Sequence, residues 1–444
     1  MTDFQSTNSR AELAWLSTSR TEPPATVNEA AIAAHFEFLS AASSRKPDLV
    51  IVDAANYSQE PETVAALLNK ARGLDARGGL VVLASPLASK DEREFLRKFG
   101  DIIFPKNNLN LLAGAARERL RLASLADETG ERIKSIVAFG RQTDFSKLSV
   151  NSKKMSLLIA GRPSPLTLAA CNALRNGASE TICVLSAGQA MRALERAGSG
   201  GAQFDGALFI PHDENDVLIP LARALRRHRD HRKLPILFTS QDHKLLDHLS
   251  ARDHFEIISV DHLNEDLLNR MHRSVRRTRM ANSMRSFLRS HDGCGGGNNG
   301  AASAKFFAVH SLRLFNRAAQ TGKPVSLAAL AIEPHSATID RNHLSAALRE
   351  ATRTVTRLIR AEDMISRLSS NMVVIMLPGV CADDAERIAK RLEGVVAGTL
   401  TRATLDLATI NTASTSYAPG ISLESAIAEL MRVLKSRRNS ALTG

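Results

Sequence analysis

The sequence predicts an α/β protein of three modules, and three observations support this. At 444 residues the chain is longer than one domain, since domains usually hold ~100–200 residues. Between residues 11 and 280, short apolar runs alternate with helix-periodic segments, which favours parallel sheets covered by helices on both faces. A glycine-rich stretch at 290–300 interrupts this alternation, and an α+β pattern follows it.

The first module is predicted over residues 11–146, after an N-terminal tail at 1–10. Its apolar runs are continuous and short, which is typical of strands buried on both faces of a parallel sheet. A first strand is expected to end near Ser17. The further predicted strands are 48–53, 79–85 and 101–104, and the predicted helices are 61–74, 90–99 and 109–125.

The second module, at 153–280, repeats this pattern more completely. Its candidate strands are 155–160, 181–185, 207–210, 234–239 and 255–260. Five strand–helix units in this length fit a doubly wound open sheet of the flavodoxin-like type, which suggests an internal duplication.

The glycine-rich stretch belongs to a predicted linker at 281–303, because glycine at that density loses much backbone entropy in regular structure. A third module is predicted at 304–444. Its predicted helices are 304–320, 343–359 and 382–396, and its predicted strands are 325–332, 364–368 and 372–377. The last two strands form a hairpin in an α+β domain.

The net charge of +12 is concentrated at 223–233 and 270–289. Such charge can attract nucleic acid, acidic protein surfaces or a phosphate-bearing ligand. Aromatic residues make up only 4% of the chain and no base-reading motif is present. We therefore expect solvated helix faces and no nucleic-acid binding.

The four cysteines, Cys171, Cys183, Cys294 and Cys381, show neither C-x-x-C pairing nor histidines at ligand spacing. The sequence therefore predicts no zinc site, no disulfide framework and no bound metal. The chain has no apolar run of ~18 residues and no basic N-terminus followed by an apolar segment, so we expect a cytoplasmic protein without membrane insertion.

The first two modules resemble the receiver domains of response regulators. Asp53 ends a buried strand where that family has its phosphate-accepting aspartate, and Ser85 occupies the position of the switch serine or threonine. Thr239 matches the switch position in the second module. The resemblance implies two flavodoxin-like doubly wound receiver domains.

Phosphoryl transfer to an aspartate needs Mg²⁺ held by an acidic pair after the first strand, and a lysine that pairs with the phosphoryl group. Residues 17–20 and 159–162 lack that pair, Ile210 occupies the second acceptor position, and Lys106 follows Pro105 in reversed order. We expect the second receiver to be silent. Asp53 either caps a loop at the sheet edge or is a phosphorylation site, and both interpretations stay open.

The third module resembles the GGDEF family of diguanylate cyclases over about residues 285–444. Its opening motif is matched by Asp292, Gly296 and Asn299. Ala331 stands where the family has its first metal-binding aspartate, and residues 369–373 read SSNMV in place of G-G-(D/E)-E-F. Because metal-assisted phosphoryl transfer needs those carboxylates, the resemblance implies a degenerate GGDEF-like α+β domain without catalytic residues, and a protein that is not an enzyme.

The same family has a product-inhibition site on an R-x-x-D motif, and Arg360 and Asp363 stand at the matching distance from the hairpin. A guanidinium can donate two parallel hydrogen bonds to guanine or grip a phosphate, and a carboxylate can accept from the guanine ring N–H and amine. Arg387 and Arg391 match family positions that complete the site. The implied ligand is cyclic di-GMP.

Two receivers followed by this domain is the order found in PleD-type cyclases, and the retained R-x-x-D motif is similar to that of PopA-like regulators. The resemblance implies a cyclic di-GMP effector of the bacterial cell cycle. Such a protein dimerises through its receivers, recruits substrates to the ClpXP protease as an adaptor, and lies at the cell pole or diffusely in the cytoplasm. Two alternatives stay open: a scaffold that binds no nucleotide, and a phospho-switch through Asp53.

Overall fold

The computed structural model describes residues 11–19, 22–25, 27–28, 36–40, 46–85, 87–103, 109–148, 155–175, 178–198, 203–228, 231, 233–242, 245, 249, 256–258, 260, 263–294, 300–335, 341–400, 408–418 and 420–443. The tail predicted at 1–10 lies outside them. The chain divides into two compact units. The N-terminal unit holds Arg10–Ala123 and Val150–Asn282, and the C-terminal unit holds Ser124–Ser149 and Ser283–Gly444. Across the described residues, no helix has the length and apolar character needed to cross a bilayer.

The first sheet of the N-terminal unit has five parallel strands in the order β2-β1-β3-β4-β5. They are β1 Ala11–Ser17, β2 Phe36–Phe38, β3 Leu49–Asp53, β4 Leu80–Leu83 and β5 Asp101–Ile103. Its helices are α1 Pro61–Gly73, α2 Lys90–Arg97 and α3 Leu109–Ala138. This strand order is that of a flavodoxin-like sheet. The sequence carries no prediction of β2, because three residues are too few to show a period.

The second sheet, with the order β10-β9-β8-β6-β7, has the same parallel arrangement when counted from its own first strand. Its strands are β6 Met155–Gly161, β7 Ala178–Val184, β8 Gly206–Ile210, β9 Ile236–Phe238 and β10 Glu256–Ile257. The helices are α4 Pro165–Arg175, α5 Ala187–Gly198, α6 Leu218–Arg227 and α7 Leu263–Arg289. Every residue of β6 and β8 is buried, as the continuous apolar runs predict.

The C-terminal unit is built on an antiparallel sheet in the order β12-β13-β11-β14. Its strands are β11 Val325–Pro334, β12 Met364–Arg367, β13 Met372–Pro378 and β14 Ala408–Ser416. The helices are α8 Ala304–Thr321, α9 Arg341–Leu358, α10 Ala382–Thr399 and α11 Leu423–Thr443. The predicted hairpin and the mixed α/β class are confirmed. The sequence carries no prediction of β14 or α11.

Helices α9 and α10 pack on one face of this antiparallel sheet. Leu348 and Val355 of α9 and Val396 of α10 are fully buried in one cluster with Leu330 and Ile375 of the sheet. Their spacing places these apolar side chains on the sheet-facing side of each helix. As a result, the end of α9 and the beginning of α10 are fixed relative to the hairpin strands β12 and β13.

Helix α3 extends beyond the end predicted at residue 125, and its second half belongs to the C-terminal unit. There it forms a buried polar cluster with α8. Glu128 accepts hydrogen bonds from Arg132 at 2.6 Å and from His310 at 2.8 Å. Ser135 Oγ lies 2.9 Å from Nδ1 of His310, and Arg132 donates to the Gly293 carbonyl at 3.0 Å. The cluster explains why apolar periodicity fades here while the helix continues.

Burial lowers the pKa of His310, although Glu128 opposes this effect. A histidine whose pKa is lower in the folded than in the unfolded protein stabilises the fold above its unfolded pKa of about 6.5, and this stability is lost as the pH falls below that value. We expect the free energy of unfolding of the C-terminal unit to drop by ~1 kcal/mol between about pH 7.5 and pH 5.5 from this residue alone.

Urea titrations of the full chain at the two pH values measure this loss. His310→Gln is the matched control, because its amide can still donate to Glu128 but does not titrate. The variant should show a smaller loss than the unmodified protein. An equal loss in both proteins would assign the acid sensitivity to other groups.

Candidate functional site

Arg360 and Asp363 lie on the turn that joins α9 to the edge strand β12. The backbone N–H of Asp363 donates to the Arg360 carbonyl at 3.3 Å, which closes the turn. Ile359 is buried at the start of the turn, and Arg289 donates to its carbonyl at 3.1 Å. The turn is therefore fixed by its own backbone and by the last residue of α7.

The Arg360 guanidinium and the Asp363 carboxylate form an ion pair with three contacts, one of them from Nε to Oδ2 at 3.4 Å, and the backbone N–H of Arg360 adds a fourth. Nη2 and Nε of Arg360 donate to Oδ1 of Asp363 at 2.9 Å and 3.2 Å. The backbone N–H of Arg360 donates to Oδ2 at 2.8 Å. The Asp363 side chain is only 3% exposed, while that of Arg360 is 48% exposed. Asp363 therefore acts as a buried anchor that orients a solvent-facing guanidinium.

The two groups shift each other's ionisation in ways that follow from burial. Burial raises the pKa of Asp363 above its ordinary value, and the nearby Arg360 only partly opposes this. Burial also lowers the pKa of Arg360, but the attraction of Asp363 outweighs it, so that pKa rises and the guanidinium stays charged. The site presents a permanent positive charge beside a carboxylate that is costly to keep ionised.

The outer edge of the Arg360 guanidinium is available to a ligand. Nη2 also donates to the Pro378 carbonyl at the end of β13, at 3.0 Å. Nη1 donates to no acceptor within the part of the chain that the structure describes. A guanidinium has five N–H donors, so one nitrogen and its two hydrogens remain for an acceptor from outside.

The first turns of α10 approach this pair with both signs of charge. Asp384 is close enough to raise the pKa of Arg360, although it is not the main cause of that shift. Arg387 forms an ion pair with Asp384, and Arg387 is 74% exposed. Arg391 is exposed one turn further along α10. The sequence prediction included the two arginines and missed Asp384, whose carboxylate interacts with both Arg387 and Arg360.

A second group of arginines lies on α9, outside the predicted site. An open cavity of about 640 Å³ is lined by Ala346, Arg349, Glu350, Arg353, Thr354 and Arg357. The three arginines are four residues apart and so share one face of the helix. The sequence shows this spacing, but a basic helical stripe is more often a solvated face than a binding site.

The tip of the β12–β13 hairpin is held by Arg367 and by two short polar side chains. Nε of Arg367 donates to the Ser369 carbonyl at 2.9 Å, and its Nη2 donates to the Ser370 carbonyl at 3.0 Å. Ser369 Oγ donates to Oδ1 of Asn371 at 2.8 Å. Serine and asparagine thus supply the polar contacts of a tight turn.

Ala331 lies in the middle of β11, opposite Met372 on one side and Asn411 on the other, and is 2% exposed. The acidic residue of this strand is Glu333, two positions further, which accepts a hydrogen bond from Asn411 at 3.0 Å. Among the described residues, no three His, Cys, Asp or Glu side chains come together as a metal site would require. Gly296 and Asn299 lie outside the described residues.

Asp53 lies at the end of β3, where the sequence predicts it. Its Oδ1 accepts the backbone N–H of Ala55 at 3.1 Å, and Oδ2 is 3.5 Å from Ser17 Oγ. Ser85 caps its own turn by accepting the Leu87 N–H at 3.2 Å. Lys106 lies outside the described residues. These contacts are those of a loop-capping carboxylate, which is one of the two interpretations of Asp53.

No protein-family profile and no curated protein sequence matches the chain. One similar solved structure is the GGDEF domain of DgcB from Caulobacter crescentus in complex with c-di-GMP. The two sequences are 16% identical, the match covers 34% of this chain and 91% of that chain, and the TM-score is 0.29. Diguanylate cyclase SiaD in complex with its activator SiaC, from Pseudomonas aeruginosa, has 15% identity, 62% and 88% coverage, and a TM-score of 0.28. A two-component response regulator/GGDEF domain protein has 16% identity, 60% and 99% coverage, and a TM-score of 0.23. The likeness concerns the fold alone.

The prediction that the protein is not an enzyme is wrong. The similar structures include diguanylate cyclases with GGDEF or GGEEF domains, and diguanylate cyclases are enzymes. The physical reason is that the prediction rested on Ala331 and the hairpin residues, which bear on one metal-assisted reaction. A fold does not fix its chemistry, since reactive side chains can lie at other positions of the same scaffold.

Because Asp363 is buried, removing the Arg360 side chain should affect the stability of the fold. A solvent-facing arginine usually alters stability by no more than ~0.5 kcal/mol. Arg360→Ala instead leaves the nearly inaccessible Asp363 carboxylate without its charged partner, so we expect the free energy of unfolding to fall by ~1–3 kcal/mol.

Chemical denaturation measures this change, and Arg391→Ala is the control for loss of an exposed arginine nearby. The double variant Arg360→Ala/Asp363→Ala should lose less free energy of unfolding than the two single variants lose together, because it also removes the carboxylate that Arg360→Ala leaves without a partner. Strict additivity would mean that the two side chains do not depend on each other.

Proposed function

We propose that the C-terminal module binds cyclic di-GMP at Arg360, and that this binding gives the protein its role in cyclic di-GMP signalling. The observation that carries the proposal is the half-exposed Arg360 side chain, whose Nε and Nη2 are held by the buried Asp363 carboxylate while Nη1 has no acceptor among the described residues. An arginine fixed in this way loses little side-chain entropy when it binds, because its geometry is already set.

The chemistry of the ligand suits such a group. Guanine presents O6 and N7 as adjacent acceptors, and an arginine can bond both at once. The two phosphates of the dinucleotide are anions that a guanidinium also binds strongly. In this proposal Asp363 is a positioning residue, because its carboxylate is buried and already accepts from Arg360.

Arg387 and Arg391 are proposed to bind the phosphates of the same ligand from α10. Arg387 is paired with Asp384, so an incoming phosphate competes with that carboxylate for the guanidinium. This exposed pair contributes little by itself, since solvent screens it. Replacing the Asp384 carboxylate by a ligand phosphate at Arg387 therefore costs little free energy. A ligand that cannot displace this carboxylate is disfavoured.

The two parallel-sheet modules are proposed to serve as docking and dimerisation elements in a PleD-type and PopA-like arrangement. In this scheme the chain is an adaptor that recruits substrates to the ClpXP protease in the bacterial cell cycle, and cyclic di-GMP controls what the adaptor presents. This part of the proposal rests on the resemblance of the sequence to those regulators.

Arg360→Lys is the sharpest test of the site. Lysine keeps a positive charge for Asp363 but loses the planar pair of donors. We expect cyclic di-GMP to bind at least about tenfold more weakly, because each charge-assisted hydrogen bond contributes ~1.5–3 kcal/mol. Isothermal titration of nucleotide-free full-length protein measures the affinity.

Arg353→Lys on α9 is the matched control and should bind as the unmodified protein does. If Arg353→Lys loses affinity and Arg360→Lys does not, the ligand binds at the α9 arginines and the assignment is rejected. A protein that binds no cyclic di-GMP at all would favour the scaffold alternative.

Binding should also weaken as the pH falls. The raised pKa of Asp363 means that its carboxylate takes up a proton at a higher pH than an ordinary aspartate, whose pKa is about 3.9. Once neutral, Asp363 no longer orients Arg360 by charge. As the pH is lowered, the affinity for cyclic di-GMP should therefore begin to fall at a pH above the range in which an ordinary aspartate takes up a proton. The Asp363→Asn variant should not show this fall. Identical profiles in the two proteins would exclude Asp363 as the titrating group.

A further inference from the structure

The second sheet of the N-terminal unit brings together two cysteines that are twelve residues apart in the sequence. Cys171 Sγ, on α4, lies 3.3 Å from Cys183 Sγ, on β7. Both thiols are free. A disulfide has an S–S length of about 2.05 Å, so closing the bond requires the two sulfurs to approach by only ~1.3 Å.

The position of the pair makes one sulfur accessible and shields the other. Strand β7 is at the edge of its sheet, and Cys183 is exposed there. Cys171 packs against the core beneath α4 and is only partly exposed. Cys294 and Cys381 are both buried and have no sulfur partner. The chain therefore holds one accessible thiol pair and two shielded single thiols.

We propose that Cys171 and Cys183 are a redox modification site, which forms a reversible intramolecular disulfide when the protein meets a peroxide. Cys183 is the thiol that reacts first, because it faces solvent. Cys171 is the resolving thiol, because it is already in contact with the Cys183 sulfur.

The reaction balances with hydrogen peroxide as the oxidant. The Cys183 thiol loses its proton, the thiolate attacks one peroxide oxygen, and the O–O bond breaks to give a sulfenic acid and a hydroxide, which takes up that proton to become water. The Cys171 sulfur then attacks the Cys183 sulfur, the S–O bond breaks, and the Cys171 proton leaves with the hydroxyl as a second water. Two thiols and one peroxide give one disulfide and two waters.

The ionisation of Cys171 agrees with this order of events. Burial, and then the neighbouring Cys183 sulfur, raise the pKa of the Cys171 thiol to about 12, while Arg175 one turn along α4 acts in the opposite direction. A protonated thiol is a poor nucleophile toward peroxide, so Cys171 does not react first. Conversion of Cys183 to a neutral sulfenic acid removes one cause of that high pKa at the moment when Cys171 must react.

The product would cross-link α4 to the edge strand β7, the element that follows it in the chain. Exposed pairs of this kind are typical of transient, redox-responsive disulfides and not of structural frameworks. The cysteine spacing in the sequence does not reveal the site, because a helix and a neighbouring strand bring the two residues together only in the folded sheet.

The test uses the full-length reduced protein, stoichiometric hydrogen peroxide, and alkylation of the remaining thiols in denaturant. Trypsin separates the two cysteines, because cleavage after Arg175 places Cys171 and Cys183 on different peptides. We expect one cross-linked peptide pair that lacks the mass of two hydrogen atoms and disappears on treatment with dithiothreitol. Cys294 and Cys381 should be recovered alkylated.

Three variants make the assignment specific. Cys171→Ser should leave Cys183 as a sulfenic acid that dimedone traps, Cys183→Ser should leave Cys171 reduced, and Cys381→Ser should form the same cross-link as the unmodified protein. Several results would overturn the proposal: a disulfide-linked dimer through Cys183, Cys183 sulfinic acid with Cys171 still alkylated, or no oxidation of either thiol.

Discussion

Strand β11 is hydrogen-bonded along both edges, to β13 on one side and to β14 on the other, and the candidate site depends on this pairing. Its first eight residues are buried, so both faces of the strand are covered, and a shift of one position would exchange the side chains packed on the two faces and disrupt both. The pairing fixes β13, and β13 fixes β12 through the hairpin. Asp363 immediately precedes β12, and Pro378 is the last residue of β13. The two partners of the Arg360 guanidinium are therefore positioned by the sheet.

The Arg360–Asp363 pair is better explained by orientation than by stability. A half-exposed ion pair contributes little to the free energy of unfolding, and a buried carboxylate carries a desolvation cost. The turn could bury an apolar residue at position 363 at lower cost. What the carboxylate supplies is a fixed direction for a half-exposed guanidinium with one nitrogen left unbonded among the described residues, which suits the binding of a planar or anionic ligand.

The buried cluster of Glu128, Arg132 and His310 shows the same chemistry without an open edge. The side chains of Arg132 and Glu128 are 1% and 3% exposed, and that of His310 is 0% exposed. Oε1 of Glu128 accepts from both Arg132 and His310, and the buried Arg132 guanidinium has no accessible donor comparable with Nη1 of Arg360. Burial alone therefore does not define a binding site. The difference lies in whether one edge of the charged group reaches solvent.

The sequence by itself determined the elements whose signal is local. Continuous apolar runs predict β3, β4, β6 and β8, helical periodicity predicts α8 to α10, and the three-residue spacing of Arg360 and Asp363 is enough to place them on one turn. Such patterns reflect the period of a helix or strand, which neighbouring residues express without help from the rest of the chain.

Only the tertiary structure decided the features that join distant segments. The short strand β2, the pairing of β14 with β11, the extension of α3 into the C-terminal unit and the contact of Cys171 with Cys183 have no local period. The burial of Asp363 and the approach of Asp384 to Arg360 also depend on how α9, α10 and the hairpin pack. Burial and contact are set by which surfaces meet after folding, and a run of residues cannot specify this on its own.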